Sequence, residues 1–369
     1  MSAHDRDSKL NTASFRKGIG ALCTAAMVFM AACAPAVPAA QPTATSAPST
    51  ATPVPPTETP LPTATPELAA LPADGRVVYS EPAGGTPRSM IVRRPEEGTP
   101  PYPWVFVTTC LGCLTYPYDA FANELLARGY ATVMFLTGDF GEGESCAWAW
   151  LEQNAASYGL DMERALVFAH GVGLAGPVLG VADESLWAEL LEGCPNPAPA
   201  TVHIRGVATY STWFGVPAGT LSTWPAQYAF LFDELGGTTD LSEQAVMDLA
   251  TILQELPSSE WRTSDRLDDT MRIMAHRTPL YYIHGPKPAD QMPAFLLTHG
   301  EQRDPDPWVA QPPIEESELM AEALKAAGIA VETLWLPDAG FFDIQLANSG
   351  VPAQIAEAID TWAQRLFAE

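Results

Sequence analysis

Residues 167–176, VFAHGVGLAG, place a histidine and three glycines between an apolar run that reads as a strand and a small-residue run that reads as a helix. Gly171, Gly173 and Gly176 keep the G-x-G-x-x-G spacing with which such a turn cradles a dinucleotide pyrophosphate. That chemistry also needs a second strand ending in an acidic residue about 20 positions on. The chain offers Leu186 to Leu191 and then Gly193-Cys194-Pro195-Asn196-Pro197, with no strand signal, so no cofactor is expected. A second reactive spacing is Cys110-Leu111-Gly112-Cys113, the C-x-x-C of redox enzymes when it opens a helix after a strand. No pair of His or Cys residues has helical ligand spacing with further ligands near it, so no metal site is expected. His276 and His284 lie in or near a stretch without strand signal, and no sequence feature aims either at a site.

The chain that must position these groups has 369 residues, 47% hydrophobic and 17% charged, enough for one large core or two small ones. Its net charge of −25, from 44 acidic against 19 basic residues, repels nucleic acid and anionic lipid and argues against both as partners. Arg6, Lys9, Arg16 and Lys17 precede an apolar run from Ile19 to Ala32, too short to span a bilayer comfortably and read as an export signal. The run ends in Met30-Ala31-Ala32-Cys33, which resembles a bacterial lipobox, with cleavage before Cys33 and lipidation of its thiol. From Ala34 to Pro72 the chain is Pro, Thr, Ala and Ser with almost no aromatic or branched apolar residues. Such a segment cannot bury enough surface to offset its ordering entropy and reads as a stiff, extended tether. The expected organisation is a signal over 1–32, a tether over 33–73 and a domain over 74–369, extracytoplasmic and held to a membrane through the lipid alone.

Within the domain, strand and helix signals alternate. Val105 to Val107 reads as a buried strand, followed by a helix capped by Asp119, carrying Phe121, Leu125 and Leu126 on one face and closed by Gly129. Strands are expected at Thr132 to Leu136, Ala165 to Ala169, Gly206 to Tyr210, Ala294 to Thr298 and Val331 to Leu336. Helices are expected at Trp148 to Tyr158, from Leu174, and at the C-terminus, where Ile355, Ile359, Trp362 and Leu366 keep helical spacing. This pattern implies an α/β fold with a mostly parallel sheet covered on both faces. Over about 212–278 it gives way to two polar helical stretches, Leu241 to Leu256 and Ser259 to His276, read as a helical insertion over the carboxyl edge of the sheet.

Residues 150–173, WLEQNAASYGLDMERALVFAHGVG, resemble the segment of α/β-hydrolase carboxylesterases and feruloyl-esterase-like proteins that runs through an aspartate and an arginine into G-H-S-x-G. Asp161, Arg164, His170 and Gly173 fall in place. PAFLLTHGEQRDPDPW (293–308) resembles the strand that delivers the catalytic acid, and LMAEALKAAGIAVETLWLPDAGFFD (319–343) the helix and strand leading to the catalytic histidine. The resemblance covers most of residues 100–369 and implies the α/β-hydrolase fold, with the insertion as a cap before the acid-bearing strand. It also marks departures. The nucleophile position is Gly171, the first glycine of the elbow is Ala169, and Phe341 stands where the general base belongs. The acid corresponds to Asp304 or Asp306. The oxyanion hole would be the Val172 amide with that of Leu111 or Gly112, beside His170. His170 and His299 match histidines that pack beside the elbow and on the acid-bearing strand.

Loss of one triad member costs about a million-fold in rate, so the expected function is non-catalytic binding of a carbonyl- or carboxylate-bearing small molecule, or of a protein partner, in a degenerate site. An ester hydrolase with a non-standard constellation is the alternative. A cell-surface scaffold is a third, favoured if Phe341, Trp213 and Phe214 fill the cleft. Once Cys23 leaves with the signal and Cys33 is lipidated, Cys110, Cys113, Cys146 and Cys194 remain as disulfide candidates with three connectivities. Strands of this fold end at one edge, so a bridge between the Cys110/Cys113 loop and the Cys146 loop is expected. The anchor has a direct check: Cys33→Ala should release the protein from the membrane fraction or block its processing, and intact mass should find a lipidated mature chain beginning at Cys33.

Overall fold

A computed structural model describes residues 68–80, 88–108, 118–135, 142–171, 202–212, 287–303 and 311–368, with scattered positions over 181–194 and 244–285. All of them lie in one compact unit, Ala64–Glu369. Eight strands form one sheet: β1 Arg76–Ser80, β2 Arg88–Arg93, β3 Tyr102–Thr108, β4 Ala131–Phe135, β5 Leu160–Gly171, β6 Gly206–Thr212, β7 Ala294–Gln302 and β8 Val331–Gly340. Their order is β1-β2-β4-β3-β5-β6-β7-β8. Only β2 runs against the others, pairing antiparallel with both β1 and β4. This differs from the 3-2-1-4-5-6 order of dinucleotide-binding sheets.

The strand side chains sort into two cores by simple alternation. Trp104 and Phe106 of β3 enter one core, and Val105 and Val107 the other. The first core lies under helix α2 (Glu142–Asn154) and helix α3 (Ile314–Ala326), whose Trp148, Leu151, Met320 and Leu324 are buried there. Trp104 stacks on Trp148 at 5.1 Å and Phe106 meets it edge-on at 5.5 Å, geometries that add to the area buried. The second core lies under α1 (Asp119–Ala127) and α4 (Val351–Ala368), with Phe121 and Leu125 facing Ile355, Ile359 and Trp362. Because the parallel strands are covered on both faces, β4 is buried at every position. Gly206 admits Trp362 to the sheet: a Cβ there would lie 2.3 Å from the indole.

Several local expectations change. Tyr118, not Asp119, is the N-cap of α1, and no side chain caps the helix. The Asp119 carboxylate instead accepts from the Arg93 guanidinium of β2 at 2.5 Å, a charge-assisted bond stronger than a neutral capping bond. Gly129 takes φ 86 just past the helix, where a left-handed residue closes the last turn. Strands β1 and β2 gave no signal in the sequence because they carry Arg76, Arg88 and Arg93 and mix exposed with buried positions. Helix α2 begins at Glu142, ahead of Trp148, and ends before a 3-10 turn over Ala155–Tyr158. The helix expected from Leu174 and the bounds of the 212–278 insertion fall largely outside the described residues; Gln244, Met247, Asp248, Thr251 and Ile252 within it are helical. Among the described residues no helix is long and apolar enough to cross a membrane.

The expected cysteine bridge is also corrected. Cys146 pairs with Cys194, while Cys110 and Cys113 lie outside the described residues. Cys146 sits within α2, buried in the core that Cys194 and Trp187 also pack against, so the shared core brings these two thiols together. Closing a 48-residue separation corresponds to about 4 kcal/mol of denatured-state entropy. Non-reducing peptide mapping should therefore recover a Cys146–Cys194 cross-link, and Cys194→Ser should lower the melting temperature by several degrees or more.

Candidate functional site

The chemistry-bearing residues gather where β5, β6, β7 and β8 end, at the carboxyl edge of the sheet. Strand β5 delivers His170 and Gly171 there. Gly171 is buried and has φ 64, the left-handed region that glycine enters without the steric cost a side chain would incur. His170 is fully buried, and both its ring nitrogens are engaged. Nε2 lies 3.0 Å from the backbone oxygen of Phe341 and Nδ1 lies 2.5 Å from the Tyr118 hydroxyl. A carbonyl only accepts, so Nε2 carries the proton, Nδ1 is the acceptor and Tyr118 donates. Burial pushes the His170 pKa down to about 3, with the Phe341 carbonyl opposing and His299 adding slightly.

Phe341 opens a 3-10 turn over Phe341–Gln345 directly after β8. Its ring lies 4.3 Å from that of His170 and is 4% exposed. Both backbone groups of the preceding Gly340 are held: its N–H donates to Asp343 Oδ2 at 2.7 Å and its carbonyl accepts from Tyr210 at 2.6 Å. The G-F-F-D sequence thus fixes its own turn, and Phe341 is delivered against His170 with little freedom.

Two irregularities shape this edge. The β5/β6 register shifts between His170 and Gly171, so that His170 faces Tyr210 and Gly171 faces Thr212. Ser211 is the extra residue, and it takes φ 42, the one described non-glycine residue with positive φ. Its buried Oγ accepts from the Gly300 N–H at 3.1 Å. The β7/β8 register shifts in turn between Gly300 and Gln302. Gly300 is required at that crossing, since a Cβ would lie 2.5 Å from both the Ala339 oxygen and the Tyr210 hydroxyl. Bulges of this kind re-aim the chain beside functional sites.

Of the residues singled out in the sequence, the structure brings together Gly171, His170 and Phe341. Leu111, Gly112, Val172, Asp304 and Asp306 lie outside the described residues, as do Trp213, Phe214, His276 and His284. His299 stands apart as a packing residue: buried at 1% exposure, it meets the Ser317 hydroxyl through Nδ1 at 2.9 Å. Burial lowers its pKa to about 4, against a hydrogen bond to the Pro312 backbone and the nearby Glu315 charge. Sequence reasoning missed Tyr118, Tyr210 and Ser211, which act through contacts 52, 130 and 89 residues away and leave no local pattern. Among the described residues no group of three His, Cys, Asp or Glu is placed to hold a metal ion.

No protein-family model matches the chain, and no curated protein does. Solved structures do. Esterase B from Lactobacillus rhamnosis, in an SN3-inhibited form, superposes with a TM-score of 0.55 at 15% identity, over 80% of this chain and 89% of that one. The same esterase inhibited by a tributyrin phosphonate gives 0.53 at 15% identity, over 81% and 88%. The bifunctional GH43-CE protein of Bacteroides eggerthii gives 0.51 at 16% identity, over 80% of this chain and 38% of that one. The fold is the α/β-hydrolase fold. β5, which ends at Gly171, is a central strand of this sheet, between β3 and β6.

The two neutral histidines make stability depend on pH. Each has a folded pKa below its unfolded value near 6.5, so the unfolded chain binds more protons as pH falls and stability is lost on acidification. The contribution is complete above pH 6.5 and declines below it, toward about 3 for His170 and about 4 for His299. The slope is about 1.4 kcal/mol per pH unit per histidine once the unfolded form is charged. Denaturant titrations from pH 7 to 4.5 should show this loss, and His299→Gln should reduce the slope by up to about one proton equivalent.

Proposed function

We propose that this chain is an exported, lipid-anchored protein of the α/β-hydrolase fold that binds a small carbonyl- or carboxylate-bearing molecule at a degenerate active site, without turning it over. The observation that carries the reading is the state of the β5 and β8 ends. Gly171 has no side chain to attack with, Phe341 has none to accept a proton, and the one imidazole between them has both nitrogens committed to Tyr118 and to the Phe341 carbonyl. A histidine whose pKa is held near 3 by burial is a poor general base at neutral pH, where an effective one titrates near 7. The backbone amides expected from Val172 and from Leu111 or Gly112 need no side chain, so an oxyanion hole that still binds a carbonyl or carboxylate oxygen is part of the proposal. Placement outside the cytoplasm and attachment through Cys33 rest on the basic, apolar and lipobox-like segments in sequence.

Ser211 motivates a second reading, an active ester hydrolase. It is a serine in the left-handed region at the same edge, opposite the β5 end, and backbone strain of this kind gathers at active sites. Its Oγ, however, is buried and accepts from Gly300, while the ring nitrogens of His170 are held by Tyr118 and Phe341 and Nδ1 of His299 by Ser317. The non-catalytic reading is therefore preferred. The full chain should resist fluorophosphonate labelling and show no cleavage of short-chain p-nitrophenyl esters above a denatured control. Turnover abolished by Ser211→Ala, or by any other single Ser, Cys or His change, would overturn the non-catalytic reading.

A further inference from the structure

At the opposite edge of the sheet from Gly171, a pocket of about 1100 Å³ opens between the end of β2, the end of α1 and the chain leading into β1. Its walls are fixed by backbone bonds: Gly75 N–H donates to Pro72 O, and Val92 N–H donates to Gly75 O, both at 2.8 Å. Three arginines line it, and two are already neutralised. Arg93 is paired with Asp119 at 2.5 Å and Arg128 with Glu124 at 2.7 Å. Arg94 is different. It is half-buried, and its Nη1 is shielded from solvent yet meets no acceptor among the described residues.

A buried guanidinium N–H without an acceptor is costly, and in a native protein it calls for an ion, a water or a ligand. The planar fork of arginine matches a carboxylate or a phosphate. The rest of the lining selects between them. Glu96 and Glu97 also face the pocket, exposed at its rim, and Asp74 is engaged with the Arg76 backbone N–H at 3.0 Å. This acidic surround repels a phosphate dianion more strongly than a monoanion. Leu71, Pro72, Val92 and Leu126 supply apolar wall against which a hydrocarbon part can lie.

We infer that this pocket binds a small apolar monocarboxylate, its carboxylate on Arg94 and its hydrocarbon part on the Leu71, Val92 and Leu126 wall. The site lies at the amino edge of the parallel strands, so it is separate from the one proposed above and does not depend on that reading.

Benzoate is the probe, titrated into the full chain in detergent and followed by amide chemical shifts. Saturable binding with a Kd on the order of 1 mM is expected, with shifts centred on residues 92–98 and 126–129. Arg94→Gln should weaken it at least about tenfold, and Arg94→Lys, which keeps the charge but not the fork, by less. Ala127→Trp, exposed in the last turn of α1, should block the mouth without touching either core. Arg365→Gln, on the exposed face of α4 beside β8, should leave benzoate binding unchanged. Absence of saturation, shifts confined to residues 169–171 and 340–342, tighter binding of inorganic phosphate, or full retention in a folded Arg94→Gln variant would each overturn the assignment.

Discussion

One hydrogen-bonded imidazole organises the carboxyl edge of the sheet. His170 ties the start of α1, through Tyr118, to the end of β8, through the Phe341 carbonyl, while its own backbone ends β5. Because one partner is a carbonyl, the tautomer is fixed; because both nitrogens are used and the ring is buried, it stays neutral. Loss of one partner would leave a polar group stranded in the core, which costs more than the bond itself contributes. Neighbouring features accommodate this strut. Phe341 packs on the imidazole face, Tyr210 holds Gly340, and Gly300 leaves room for the Tyr210 hydroxyl.

The same arrangement decides which side chains this edge presents: Gly171 offers none and Phe341 a buried phenyl ring. A strained elbow is tolerated in an enzyme because it presents a nucleophile; with glycine at φ 64 the conformation carries little strain. A buried phenyl ring in contact with a neutral imidazole needs no hydration, whereas a base there would have to be solvated or paired. Backbone strain at this edge lies at Ser211, where a bulge and one hydrogen bond from Gly300 hold a left-handed serine.

Charge follows a comparable division of labour. Surface pairs such as Arg365 with Glu332, both half-exposed, contribute little because water screens them. The Arg93–Asp119 pair instead joins β2 to the head of α1 and thereby fixes one wall of the pocket in which Arg94 has no acceptor among the described residues.

The sequence by itself determined the layer architecture. Apolar runs in β3, β4 and β5 buried on both faces, and the 355, 359, 362 stripe of α4, follow from periodicity alone, because alternation decides which core a side chain enters. It also singled out His170, Gly171 and Phe341, which lie on local strings, and the fold brings His170 and Phe341 into contact. Tertiary structure decided the rest. Strands β1 and β2 are held by pairing rather than by composition. The partner of Cys146 was set by the core in which Cys146 and Cys194 both pack. The roles of Tyr118, Tyr210, Ser211 and Arg94 exist only where segments far apart in sequence meet. A hydrogen bond between residues 171 positions apart, such as His170 with Phe341, leaves no trace in either local sequence, because its geometry is fixed by the sheet that carries both ends.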